Sequence, residues 1–357
     1  MVGGVYTDGW AHINLGALES FFTPWHAILY GGSAALIAWM AALLLLCRQR
    51  AGRWSMPAGY GSGWVGAAVF TLGGVGDMVW HLIFGVEVGV EALVSPTHLL
   101  LLTGGVLMLT SPVRAALVHG RPPSQRWSAV LAVAGAVALA GFFLSYLSVF
   151  TNPAAREALI VIPHGAPGHD AAELLPVVGL GAYLVSTVLM VAPVLFLRRH
   201  RLLPIGSITV VVAAVALPPA VLTELEFWAP ALSAVAAAAL LDLAVTRRPS
   251  LSDVSLALSL PVVVWGGQLL GLALTGNLGW PPELWAGVMM LSALTAAGLV
   301  QTMTTTAQGR ASSAASGSTA LSGAPDSAAA TPGPRSRTAE PAGPVRGSTT
   351  ARPEPPG

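Results

Sequence analysis

The feature that most restricts this chain's folding options is a series of apolar runs, each about twenty residues long, separated by short arginine-bearing segments. A helix rises about 1.5 Å per residue, so a run of about twenty crosses the roughly 30 Å hydrocarbon core of a bilayer. Such runs cover residues 24–47, 62–85, 96–118, 127–150, 173–197, 203–222, 228–245, 254–275 and 284–305. Of the 357 residues, 54% are hydrophobic and 9% charged, and the mean hydropathy is +0.70. Soluble domains carry about a quarter charged residues. The expectation is an all-α, polytopic membrane helix bundle of about nine transmembrane helices, multi-pass in the cell membrane, over residues 1–306.

Basic residues set the expected orientation. There is no lysine, and the 17 basic residues are all arginines. Arg48, Arg50 and Arg53 follow the first run, and Arg114, Arg121 and Arg126 follow the third. Arg198, Arg199 and Arg201 follow the fifth, and Arg247 and Arg248 the seventh; the alternate loops hold only Arg156. Positive residues stay on the cytoplasmic side, which predicts the N-terminus outside and the C-terminus inside. The first 23 residues contain Asp8 and Glu19 but no basic region, so no cleavable signal peptide is expected. Residues 307–357, rich in Ala, Ser, Thr, Gly and Pro, predict a disordered cytoplasmic tail.

Ionisable residues are costly within a bilayer and mark functional sites there. Here they form a pattern that occurs twice. Asp8-x3-His12 is followed by Glu19-x3-Thr23-Pro24-x-His26, and Asp77-x3-His81 by Glu91-x3-Ser95-Pro96-x-His98. Four-residue spacing puts Asp and His on one helix face. Thr23 and Ser95 suit an N-cap and Pro24 and Pro96 the first helical position, so His26 and His98 fall in a first turn. There the helix dipole favours the neutral imidazole a metal requires. Two imidazoles and a carboxylate suit Cu, Zn or non-haem Fe. Glu19 and Glu91 are expected as fourth ligands or as partners for an imidazole N–H. The eight candidate ligands are therefore Asp8, His12, Glu19, His26, Asp77, His81, Glu91 and His98, in two separate sites or one shared cluster. Glu87 exists only in the second copy, whose spacer is three residues longer. A lone cysteine, Cys47, excludes a disulfide framework and a thiolate cluster.

Asp77-x3-His81 with the preceding Trp80, followed by an acidic residue and Ser95-Pro96-Thr97-His98, resembles the copper-site region of the C subunit of particulate methane and ammonia monooxygenases. The resemblance covers about 25 residues, and the gap between the two histidines is longer here. It implies copper as the cofactor, Asp77, His81 and His98 as ligands, and partner membrane subunits. A reaction does not follow from it, and no catalytic residue is assigned. The functional expectation is a membrane metal-binding protein, as an oxidoreductase subunit, a metal carrier or transporter, or a haem protein using His26 and His98. The expected partners are the lipid bilayer, a transition-metal ion and other membrane subunits, with no nucleic acid.

Other polar positions carry weaker expectations. The His164–Asp170 segment reads as a polar loop, with a lid or third metal-contacting segment as the alternative. Glu224 and Glu226 are expected to be solvated, and Asp242 to pair with Arg247 or Arg248. Gly61-x-Gly63-x-x-Gly66 opens an apolar run with no strand before it, so it predicts close helix contact rather than a dinucleotide site.

Overall fold

A computed structural model describes residues 1–15, 21–85, 87, 89–120, 122–248 and 250–322, with side chains through Thr305. The described residues form helices and turns. In order these are α1 (Val2–Asn14), α2 (Pro24–Ala51), α3 (Gly61–Phe84), α4 (Val90–Val94), α5 (Pro96–Leu109), α6 (Ser111–Val118) and α7 (Pro123–Phe143). They continue as α8 (His169–Arg199), α9 (Ser207–Leu222), α10 (Trp228–Arg247), α11 (Asp253–Leu274) and α12 (Pro282–Ser322).

Among the described residues, eight helical stretches are long and apolar enough to cross a membrane: α2, α3, α5 with α6 (Pro96–Val118), α7, α8, α10, α11 and Pro282–Thr305 of α12. Many of their large apolar side chains lie on the outside, Leu72 and Leu82 among them. An apolar exterior of this kind suits lipid, not water. The fold class expected from the apolar runs is thus a helical bundle of membrane-spanning length.

The sixth expected span is shorter than its apolar run. Pro204 lacks an N–H and Gly206 adopts a φ of 90°, so α9 begins only at Ser207 and has 16 residues. That is about 24 Å of helix, short of the full hydrocarbon thickness. The third span is interrupted at Thr110, just ahead of Pro112, into α5 and α6. Arg114 ties the break together by donating to Gly59 O and to the Thr110 and Ser111 hydroxyls.

Residues 1–306 and 307–357 form two separate units. Helix α12 is assigned from Pro282 through Ser322.

Two apolar clusters fill most of the first unit, with a third, small one of Tyr6, Ala138 and Leu222. The larger joins α6 to α12 around Tyr183, Met190, Leu195 and Trp265. The smaller joins α1, α2, α3, α5 and α7 around Leu29, Met40, Phe70, Met108 and Leu139. Within it α3 and α5 meet backbone to backbone: a Cβ on Gly104 would lie 2.5 Å from Phe70 N and 2.6 Å from Gly66 O. Small residues allow such approach between membrane helices. Gly66, read from sequence as a contact glycine, does this work together with Gly104.

Candidate metal centre

Helix α1, which precedes the first apolar run, packs into the bundle. Gly4 lies against the Leu29 backbone of α2, and the Tyr6 hydroxyl donates to Ala138 O of α7 at 2.9 Å. It runs antiparallel to α2, from Met1 beside Gly32 to Asp8 beside His26. It is therefore the counterpart of the C-terminal half of α3, and α2 the counterpart of α5.

The two motif copies converge at one end of the bundle with matched geometry. Asp77 on α3 is buried, and its Oδ1 lies 3.5 Å from His81 Nε2 and 3.1 Å from His98 Nε2. Asp8 on α1 places its Oδ2 3.8 Å from His12 Nε2 and 3.7 Å from His26 Nε2. Each carboxylate thus faces two imidazole Nε2 atoms from its own copy. The ligand atoms of Asp8, His12 and His26 all lie within 4.8 Å of one another, as do those of His26, Asp77 and His81. His98 joins the second group through Asp77.

Three of the four imidazoles are held by their other nitrogen. Thr23 caps α2 by accepting from His26 N, and its hydroxyl also meets His26 Nδ1 at 3.0 Å. Ser95 does the same for α5, with its hydroxyl 2.9 Å from His98 Nδ1, which also contacts Ala92 O. His81 Nδ1 lies 3.1 Å from Gly85 O and donates to it. In all three the held Nδ1 leaves Nε2 directed at the carboxylates, as for a metal-bound histidine with an outer partner. The N-cap expected for helix geometry therefore also orients the ring.

Further residues at the site were not singled out in the sequence. Tyr30, one turn past His26 on α2, donates to Asp77 Oδ2 at 3.2 Å, and Thr97 donates to Oδ1 at 3.3 Å. Phe21 stacks on His26 at 4.7 Å between ring centres. The four-residue step from His26 to Tyr30 was the available signal for Tyr30.

Not every expected ligand is brought in. Glu91 lies on α4 with its side chain exposed, accepting from Gly89 N at 3.0 Å. It is bound to its own backbone and does not join the cluster. Glu87 reaches the cavity beside the cluster instead and accepts from Trp80 Nε1 at 2.9 Å. Glu19 lies outside the described residues.

Two buried atoms in the cluster have no hydrogen-bond partner, Asp8 Oδ1 and His81 Nε2, and neither does Glu87 Oε2 beside them. Leaving a buried polar atom unsatisfied costs about 1–3 kcal/mol. On α1, which is not a spanning helix, burial pushes the Asp8 carboxyl up to about 7, with a His98 charge opposing and Asp77 reinforcing. Burial, aided by neighbouring His81 and His98, pushes the His12 imidazole down. A site that leaves carboxylate and imidazole atoms unsatisfied together is suited to a cation, so these residues fit a metal ion.

Beside the cluster opens a cavity of about 460 Å³. One wall carries Asp8, His12, His26, Asp77, His81 and His98. Its apolar lining includes Leu29, Phe70, Leu101, Leu139, Phe142 and Phe143. Ligand sites of this size and character typically span about 300–1,000 Å³.

The remaining polar positions lie elsewhere. His164 Nδ1 and His169 Nε2 are 3.2 Å apart, and His169 Nδ1 donates to Ile162 O at 2.8 Å. They line a separate pocket over residues 164–171, with no residue shared with the cluster's cavity. Asp242 does not take up the expected arginine partner: it accepts from Thr209 N and Oγ1, both at 2.8 Å, and so caps the first turn of α9. Glu226, expected to be solvated, pairs with Arg156. Comparison of the chain with known family models, with curated proteins and with solved structures finds no match in any of the three.

Proposed function

We propose that this chain is an integral membrane protein holding a transition metal, copper first, at the extracytoplasmic end of its bundle. Zinc and non-haem iron suit the same donors. The ligands come from Asp77, His81 and His98, joined by the first copy's Asp8, His12 and His26. The observation that carries the reading is the convergence of both copies, with Asp8 Oδ1 and His81 Nε2 buried and unpartnered among the donors. Arginine placement supports the orientation, N-terminus outside, under which the cluster faces away from the cytoplasm.

Between the expected uses, the cavity favours an oxidoreductase or a subunit of one. A metal bounded by an apolar chamber suits chemistry on a small, lipid-soluble molecule, with copper supplying one-electron redox chemistry when bound. The protein's own part is to hold Nε2 atoms toward the ion through Thr23, Ser95 and Gly85, and to keep water away with Phe70, Phe142 and Phe143. A carrier would need ligands continuing through the bilayer, and Asp242 is engaged by Thr209. A bis-histidine haem finds little support, because His26 and His98 both direct Nε2 at a carboxylate.

The test is elemental analysis of detergent-purified protein, wild type against His81→Ala combined with His98→Ala. The wild type is expected to retain metal and the double variant to lose most of it. Equal metal content in the two removes the reading.

A further inference from the structure

The two motif copies place their ligand atoms in two groups that meet at His26. We infer that the chain binds two metal ions, one on Asp8, His12 and His26 and the other on Asp77, His81 and His98. The inference rests on the metal-binding reading above and specifies how many ions the site takes.

The first observation is the internal match. In each copy one carboxylate oxygen faces two imidazole Nε2 atoms: Asp8 Oδ2 at 3.8 and 3.7 Å, Asp77 Oδ1 at 3.5 and 3.1 Å. Each copy also holds its last histidine by the hydroxyl of its own helix cap, Thr23 for His26 and Ser95 for His98. Each therefore turns two imidazoles toward one carboxylate, the kind of donors a first-row ion takes; the first copy's three ligand atoms converge by themselves, while in the second His98 is tied in through Asp77.

The second observation is His26. It belongs to both groups of converging ligand atoms. Its Nδ1 is held by Thr23, so only Nε2 can ligate, and one Nε2 serves one ion. Donors on a single ion lie about 2.0–2.3 Å from it, hence within about 4.6 Å of each other. With His26 committed to Asp8 and His12, the second ion draws on His81 and Asp77, with His98 brought in by its contact to Asp77.

The third observation is the distribution of unsatisfied atoms. One lies in each copy: Asp8 Oδ1, the second oxygen of the carboxylate whose Oδ2 faces His12 and His26, and His81 Nε2. A single ion at either copy leaves the other copy's buried atom without a partner.

The experiment strips detergent-purified full-length protein of metal and reloads it with excess Cu(II). A glycine wash follows, to clear copper from the exposed His164–His169 pair, and copper per chain is then counted. About two ions per wild-type chain are expected from the two donor sets. Asp8→Asn with His12→Gln should keep about half the wild-type copper, and so should Asp77→Asn with His98→Gln. These near-isosteric changes are checked for folding by size-exclusion profile and far-UV circular dichroism. One ion per wild-type chain, with the Asp8/His12 variant retaining all of it, overturns the two-ion inference and leaves the metal-binding reading intact. No copper on the wild type overturns both.

Discussion

The residue scale is where protonation and metal binding compete. An ion binds ionised carboxylates and neutral imidazoles. Burial raises the Asp8 carboxyl to about 7, so the ion-free fold keeps that proton well above the ordinary carboxylate range. Its contribution to ion-free stability is fully present below about 4 and is lost as pH climbs through about 7. The lowered His12 imidazole works in the opposite sense: its neutral form favours the fold at higher pH, and that contribution is lost in acid. A bound ion offsets the Asp8 loss, since it takes the carboxylate the bare fold disfavours. Below about 7 one proton must leave Asp8 for the ion it would ligate, which weakens that ion's apparent affinity by about tenfold per pH unit. The copper-induced rise in melting temperature is therefore expected to grow from pH 6 to pH 8. Melts of detergent-solubilised protein with and without Cu(II) at pH 6, 7 and 8 check this, and an equal rise at all three values contradicts it.

At the scale of elements, the site depends on how closely α3 and α5 approach. Asp77 and His98 sit at the same end of a contact that runs through Gly66 and Gly104, where backbone meets backbone. Gly104→Val inserts atoms where Phe70 N and Gly66 O already stand at 2.5 and 2.6 Å from a single Cβ. Overpacking of this kind costs about 1–3 kcal/mol. It should also reduce metal content by moving His98 away from Asp77. Gly31→Ala meets nothing within 4 Å and serves as the control. Stability in a denaturing-detergent titration together with metal content reads both effects, and a Gly104→Val protein matching the control in both would contradict the account. The helix caps were legible in the sequence because Thr23-Pro24 and Ser95-Pro96 signal a start wherever they occur. The four-residue spacing of each Asp–His pair was likewise readable. The docking of α1 was not, because it precedes the first long apolar run and its partners on α2, α7 and α9 are set by tertiary packing. The true start of α9 was missed for a local reason, since residues 203–206 are apolar enough to read as helix until Pro204 and Gly206 are weighed.

Taken as a whole, the molecule divides its labour. Helices α8 to α12 supply an alanine- and valine-rich apolar mass, while the ionisable cluster is confined to α1, α2, α3 and α5. The bundle itself was legible from length and hydropathy alone. The cavity was not, because which apolar side chains border the cluster depends on how α7 crosses the repeat. If that chamber receives a lipid-soluble molecule, Leu139→Trp should fill it without touching a ligand. Metal content should stay at the wild-type level while binding of naphthalene, followed by its fluorescence, is lost; unchanged naphthalene binding would argue that the chamber is not the receiving volume. There is a last consequence of the leading helix. At 13 residues α1 reaches only about 20 Å, too little for the hydrocarbon layer to grip. If the proposed ion sits between Asp8, His12 and His26, it would act as a rivet for a segment that lipid cannot hold, and metal supply would become part of how the protein matures.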